Sequence, residues 1–387
     1  MLDLTSIQAQ LCGVDGWLFF DHHHRDAIAY RILGLPAANP TRRWFYWIPA
    51  RGTPVKLVHR IEAGMLDALP GERFLYSTWQ ELHENLKRML ANAKTIAMQY
   101  SPHGGLPAIS MVDAGTIELL RSFGVDVVSS AELVQYFEAR WSPAQYEMHL
   151  EAGRRVDRVL DDAFGRIGES LRGRKAISEF DIAEFIRECF RLAGLFTDHG
   201  PIVAVNAHAG DPHYEPSAGN SSPIRASDFV LIDLWAKLAQ PHAVYYDITW
   251  VAFCGHDIPA HIQKVFDIVR GARDLALETV RTARQSGRTI AGWEADAAAR
   301  AHITAQGYGD RFTHRLGHSI GEDIHGAGAN LDGYETRDTR LLIPDTCFSI
   351  EPGIYLPEFG VRSEINCYVS ERDAQATGRV QDKIVLI

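Results

Sequence analysis

Cysteine is scarce in this chain. There are five in 387 residues (Cys12, Cys189, Cys254, Cys347 and Cys367), widely spaced, odd in number and without a C-x-x-C pair. That pattern speaks for buried reduced thiols rather than a disulfide framework. Positive charge is also in deficit. Lys and Arg total 39 against 49 Asp and Glu, for a net charge of -10, and no basic block offsets it, so a nucleic-acid surface is not expected. No apolar stretch is long enough to cross a bilayer, and "MLDLTSIQAQ" lacks a basic segment leading into an apolar run. With neither signal, no membrane partner is expected and the cytoplasm is the expected compartment. Short-period repeats and low-complexity segments are missing too.

What remains is a globular composition, 46% hydrophobic and 23% charged, on a chain too long for one ordinary core. The texture changes near residue 141. Before it, strand-like pieces ("GWLFF", "RWFYWIP", "VKLVH", "TIAMQY", "VDVVSS") alternate with helical ones such as "TWQELHENLKRMLANA". After it come long amphipathic helices, expected over roughly 143–170, 178–194, 259–286 and 290–306, with strands "FVLIDLWAKL", "AVYYDITWVAF", "TCFSIEPGIYL" and "GVRSEINCYV" between and after them. Ser142 before Pro143 is a helix-start signal. The expected domains are therefore 1–141 and 142–387.

"HRLGHSIGEDIHGAG" carries His314, His318 and His325. On a helix His314 and His318 would share a face, as in zinc proteases of the H-E-x-x-H type, but Arg315 stands where the catalytic glutamate would be and four glycines disfavour a helix. The partners must lie elsewhere. Asp233 and Asp247 are symmetric about Gln240, and Glu351 and Glu364 about Pro357 and Glu358, so two simple hairpins would oppose each pair. Such pairs suit two metal ions about 3.5 to 4 Å apart. A lone strand carboxylate usually points to water, yet four set among apolar neighbours ("LIDLW", "YYDIT", "SIEPG", "RSEIN") would be costly to bury without cations.

In order along the chain, Asp233, Asp247, His318, Glu351 and Glu364 resemble the ligand set of the pita-bread metallopeptidases, the family of methionine aminopeptidase, aminopeptidase P and prolidase. The matching segments are "LIDLWAK", "YYDITW", "HRLGHSIGEDIHG", "SIEPGIY" and "GVRSE". The N-terminal part, with "GWLFFDHHHRDAIAYRILG", resembles the creatinase-like α/β domain that precedes the catalytic domain in aminopeptidase P and prolidase. The implied fold is α+β, a pita-bread domain of antiparallel sheet and long helices behind that N-terminal domain.

The resemblance implies two divalent ions per chain, Mn²⁺, Co²⁺ or Zn²⁺, held by these five residues, with Glu351 also serving as general base. It makes His213 and His325 catalytic and substrate-contacting groups, and it places His314 on the same wall, as a group that contacts the substrate or supports the ligands. Arg362 would pair with a carboxylate of the site or of the substrate. Two such ions acidify water and polarise a carbonyl, and the implied reaction is hydrolysis of the bond before proline. An Xaa-Pro dipeptide is the expected substrate and a homodimer the expected assembly. Aminopeptidase P activity on longer peptides, or a dinuclear hydrolase or lyase of a small metabolite, is the alternative. A non-catalytic peptide-binding module is disfavoured because no ligand is lost. Trp250, Arg315 and a long Asp233–Asp247 connection depart from the family pattern and are expected to narrow the substrate cleft. The remaining features read as structural: "DHHHRD" as a loop, "RWFYWIP" as sheet packing or a subunit contact, and Cys254 as buried packing.

Overall fold

The computed structural model describes residues 3–387. The chain divides into two compact units, 1–138 and 139–387.

The first unit is built on a six-stranded mixed sheet. Its strands are β1 (Gly16–Asp21), β2 (Trp44–Pro49), β3 (Val55–His59), β4 (Glu72–Tyr76), β5 (Thr95–Met98) and β6 (Asp126–Ser129), in the order β4-β3-β2-β1-β5-β6. The helices of this unit are α1 (Leu4–Gln10), α2 (Ala27–Leu33), α3 (Trp79–Met89), α4 (Ala114–Ser122) and α5 (Ala131–Val134). The aromatic run 44–47 is buried, with Phe45 5.0 Å from Phe20, and so supplies sheet packing. "DHHHRD" is a turn: the Asp21 carboxylate accepts backbone N–H groups of His24, Arg25 and Asp26.

The second unit wraps long helices around antiparallel sheet. Its helices are α6 (Pro143–Arg172), α7 (Glu179–Leu192), α8 (Ala260–Gln285) and α9 (Gly292–Ala305), within a few residues of the ranges expected from periodicity. Ser142 caps α6, its side chain accepting from the Gln145 N–H, with Pro143 at the first helical position. One sheet holds β7 (Leu195–Phe196), β8 (Ile202–Val205), β9 (Phe229–Leu238), β10 (Tyr246–Phe253) and β17 (Val385–Leu386). A second runs β11-β12-β15-β16, from β11 (Ser319–Ile320), β12 (Thr346–Ile350), β15 (Ile365–Val369) and β16 (Ala374–Thr377). A short hairpin joins β13 (Gly353–Tyr355) to β14 (Gly360–Arg362).

Strand periodicity sorts β9 and β10 into two faces. Val230, Ile232, Leu234 and Ala236 pack with Tyr246, Ile248, Trp250 and Ala252 against α6 and α7. Phe229, Leu231 and Trp235 pack with Val251 and Phe253 in the core that also holds α8 and α9. Asp233, Asp247 and Thr249 have the parity of this second face. Trp250 therefore points away from it, buried beneath Arg379, whose guanidinium lies 4.5 Å from its ring. The expectation that Trp250 narrows the cleft is corrected: one residue of strand phase puts it on the opposite face. Cys254 is buried in the α6–α7 core.

Candidate metal centre and active site

The two hairpins behave differently. Asp233 pairs with Thr249 and Asp247 with Trp235, so the aspartates are diagonal, not opposed as expected. The connection turns at Pro241 and His242, the latter in left-handed backbone at φ 61°, so the ladder is centred one residue beyond Gln240. A slip of two residues preserves parity, and both carboxylates keep the same face. The second hairpin holds its predicted register, Ile350 opposite Ile365 and Gly353 opposite Arg362, which leaves Glu351 and Glu364 across from each other. Its ladder is interrupted at the glutamates. The Glu351 N–H donates to Leu316 O and the Glu364 N–H to Thr249 O, so the backbone at each glutamate is bound to a different neighbouring segment.

The histidine segment forms no helix. β11 pairs with β12, and Gly317 lies so close to it that a Cβ would meet the Ser349 carbonyl oxygen at 2.0 Å. This close approach to β12, with Gly326 and Gly328 crowded by the Ser319 hydroxyl, is what the glycines serve. They permit this packing.

One cavity of about 270 Å³ is lined by Asp233, Asp247, His318, Glu351 and Glu364 together with His213, His314, His325 and Arg362. Within it, Asp247, His318 and Glu364 offer ligand atoms all within 4.8 Å of one another. His318 Nδ1 is 3.2 Å from the Ser319 carbonyl oxygen, which can only accept, so the Nε2 lone pair of the neutral ring faces the carboxylates. It lies 3.5 Å from Asp247 Oδ2 and 3.6 Å from Glu351 Oε1. Buried Oδ1 atoms of both Asp233 and Asp247 have no hydrogen-bond partner. Acceptors converging on acceptors are unstable unless a cation lies between them, and this donor set fits a hard divalent ion.

Electrostatics agree with that reading. Burial, then Asp233, pushes the Asp247 carboxyl well above the usual carboxylate range; burial, then Asp247, Glu351 and Asp233, does the same to Glu364. Glu351 is raised by burial, against the pull of His318, and its Oε1 accepts from the Ser349 hydroxyl at 3.1 Å.

Arg362 is buried and its donors are engaged. It donates to Asp233 Oδ2, to Thr249 Oγ1 at 3.1 Å and to Tyr355 Oη at 3.0 Å. The Thr249 hydroxyl in turn donates to Glu364 Oε2 at 2.7 Å. His314 stands at the end of this chain. Its Nδ1 donates to the Arg315 carbonyl, while burial, then Arg362, pushes its pKa down to about 3, so neutral Nε2 accepts from Tyr355 Oη at 2.7 Å. His325 packs edge-on to His318, ring centroids 4.4 Å apart, with part of its ring exposed. Desolvation, then the neighbouring His318 and Arg315, lowers its pKa. His213 is exposed on the loop after β8, which a buried glutamate ties down: Glu179 accepts from the N–H groups of Val205 and Ser222, from the Tyr214 hydroxyl and from His208 Nδ1.

Several residues around the site carry no mark in the sequence reading: His199, Trp235, Glu215 and Glu335 line the cavity, and Tyr355 bridges Arg362 to His314. Tyr355 and Thr249 had a findable signal, each lying in a segment that already carries a ligand candidate. His199 and Glu335 come from connections with no such pattern.

A model of the metallopeptidase family M24 matches residues 147–371. The chain is 29% identical over 264 residues to an Xaa-Pro dipeptidase of Lactobacillus helveticus, an overlap covering 68% of this chain and 65% of that one. Among solved structures it resembles dipeptidase PepE from Mycobacterium ulcerans, with a TM-score of 0.73 and 21% identity over 99% of this chain and 96% of that one. It also resembles a prolidase from Thermococcus sibiricus, with a TM-score of 0.66 and 22% identity over 99% and 98%. The fold is thus the α+β pita-bread architecture expected from the ligand order. The family match spans more than half of the sequence and includes the strands and loops that build the cavity, so the chain belongs to the metallopeptidase family M24.

Proposed function

We propose that this metallopeptidase is a dinuclear Xaa-Pro dipeptidase. The observation that carries the reading is the convergence of Asp233, Asp247, His318, Glu351 and Glu364 on one small cavity, with unpaired buried oxygens among them. Five donors, four of them carboxylates, match the charge of two divalent cations, and Mn²⁺, Co²⁺ or Zn²⁺ suits this oxygen-rich set. Such ions, when bound, acidify water and polarise the scissile carbonyl.

The chain's own residues divide the remaining work. Glu351 takes a proton from the attacking water. Arg362 holds Asp233 in place and, through Tyr355, keeps His314 neutral and oriented. His213 and His325 face the cavity from two loops and supply hydrogen bonds to the developing oxyanion or a proton toward the leaving imino nitrogen. The volume of about 270 Å³ lies at or just below the low end for small-molecule sites, which favours a dipeptide over a longer chain. A homodimer in the cytoplasm completes the proposal, on the strength of the sequence resemblance.

The test is hydrolysis of Ala-Pro and Ala-Pro-Ala by protein stripped with a chelator and then given Mn²⁺, Co²⁺ or Zn²⁺. Cleavage of Ala-Pro only after metal is restored, with up to two ions per chain, is the expected result. A preference for the tripeptide would reassign the chain to aminopeptidase P activity, and cleavage of neither would sink the proline-specific reading.

A further inference from the structure

The connection between β11 and β12, residues 321–345, forms no helix or strand, and it carries His325 on the cavity wall. An irregular segment of that length holds one shape only where side chains or neighbouring strands take up its backbone groups. The His325 ring does not anchor itself: among the described residues it makes no hydrogen bond, and it packs edge-on to His318. Its aim therefore follows from the backbone beside it.

That backbone is held through both of its polar groups. The Gly326 N–H donates to the Ser319 carbonyl at 2.7 Å, and the Gly328 N–H to the Ser319 hydroxyl at 3.1 Å. The carbonyls go to one guanidinium. Arg340 donates from Nη1 to Ala327 O at 2.7 Å and from Nη2 to Gly328 O at 2.6 Å. Asp338 fixes Arg340 in turn, accepting from Nε at 3.0 Å and from Nη2 at 2.6 Å, and its Oδ2 also accepts the Asn330 N–H at 3.0 Å. Both side chains are buried.

A buried ion pair adds little stability over apolar packing of the same volume, since both charges are stripped of water. A planar fork gripped along one edge by a carboxylate supplies what packing cannot, donors fixed in direction. Here they meet two consecutive carbonyls, two and three residues past His325.

We propose that Arg340 is a positioning residue for catalysis that acts through His325: held by Asp338, it sets the backbone of Ala327 and Gly328 and so the place of the His325 ring beside the metal cluster. The inference rests on the role given to His325 above.

Arg340→Lys is the variant that tests it. Lysine keeps the charge opposite Asp338 but cannot span the carboxylate and both carbonyls at once, whereas removing the charge outright would leave Asp338 buried alone and endanger the fold. In metal-loaded protein kcat for Ala-Pro is expected to fall about 10- to 100-fold, with KM, metal content per chain and far-UV circular dichroism unchanged. Added to His325→Ala, the same change should lower kcat by less than about 2-fold more, because the ring it positions is gone. Amide hydrogen exchange over 322–331 should quicken by about 10-fold or more in Arg340→Lys, while α6 to α9 exchange as in wild type. The proposal is overturned if kcat is unchanged, if the two substitutions multiply, if metal is lost, or if exchange over 322–331 keeps its wild-type rate. Wild-type protein that cleaves neither Ala-Pro nor Ala-Pro-Ala sinks the dipeptidase reading instead. The exchange measurement needs no substrate and still decides in that case: quickened exchange upholds the hold of Arg340 on the His325 loop, and unchanged exchange refutes it.

Discussion

At the scale of single residues, the site separates groups that hold charge from groups that move protons. Glu351 is asked to do both, so Glu351→Gln should lower kcat by about 10²- to 10⁴-fold while some metal is retained. His318 and His325 touch ring to edge, yet only His318 turns a lone pair toward the carboxylates. His325→Ala should slow turnover at nearly unchanged metal stoichiometry, and His318→Ala should lose metal. Metal analysis beside steady-state kinetics decides it, and the reverse pattern would exchange the two roles. Gly317 and Arg315 show how little of this is visible residue by residue. A Cβ at position 317 would meet the Ser349 carbonyl oxygen at 2.0 Å, and the Arg315 backbone N–H donates to Glu335, a residue that no local pattern connects with it.

At the scale of elements, α6 is joined to the start of β10 and to β16 through one fully buried imidazole. His149 Nδ1 donates to the Tyr245 carbonyl at 2.7 Å, and Nε2 accepts from the Thr377 hydroxyl at 2.6 Å. Both bonds are made by the neutral ring, and burial pushes its pKa down to about 4. Because the unfolded chain takes up this proton near pH 6.5 and the folded one resists it, stability is full above pH 6.5 and declines as pH falls toward 4. The loss is on the order of 3 kcal/mol for a shift of this size. Urea unfolding of wild type and His149→Gln between pH 7 and 4 checks this. The variant's curve should be the flatter, and parallel curves would refute the linkage. The start of α6 and one of the two hairpin registers were legible at this scale: Ser142-Pro143 opens the helix, and the ladders on either side of Glu351 and Glu364 keep the expected symmetry. The Asp233–Asp247 register was not, because the turn between those strands is placed by His242 backbone and by the Tyr245 N–H bonding to Gly321 instead of β9.

At the scale of the whole molecule, cations that bind the carboxylate cluster in the folded state and not in the unfolded chain must raise stability. The increment is about 2.7 kcal/mol at a free concentration a hundred times Kd. Thermal unfolding with and without a chelator is the measurement: the midpoint should rise with Mn²⁺, Co²⁺ or Zn²⁺, and Asp247→Asn should remove most of that rise. An unchanged midpoint in metal-saturated wild type would contradict the cluster as a cation site.

The sequence by itself determined which residues alternate toward a common face, where the long helices begin, and the order of the five candidate ligands. These follow from near-neighbour chemistry: strand parity, capping, and the cost of burying lone carboxylates. The tertiary structure alone decided that the aspartates sit diagonally, that Trp250 faces α6 and α7, that Arg362 is spent on Asp233, and that Arg315 lines the cavity. Each of these depends on which distant segment supplies the next hydrogen-bond partner or the next packing surface. Residues such as Thr249 and Glu364, or His314 and Tyr355, meet only when separate strands and loops close around one cavity, and no local periodicity encodes that meeting.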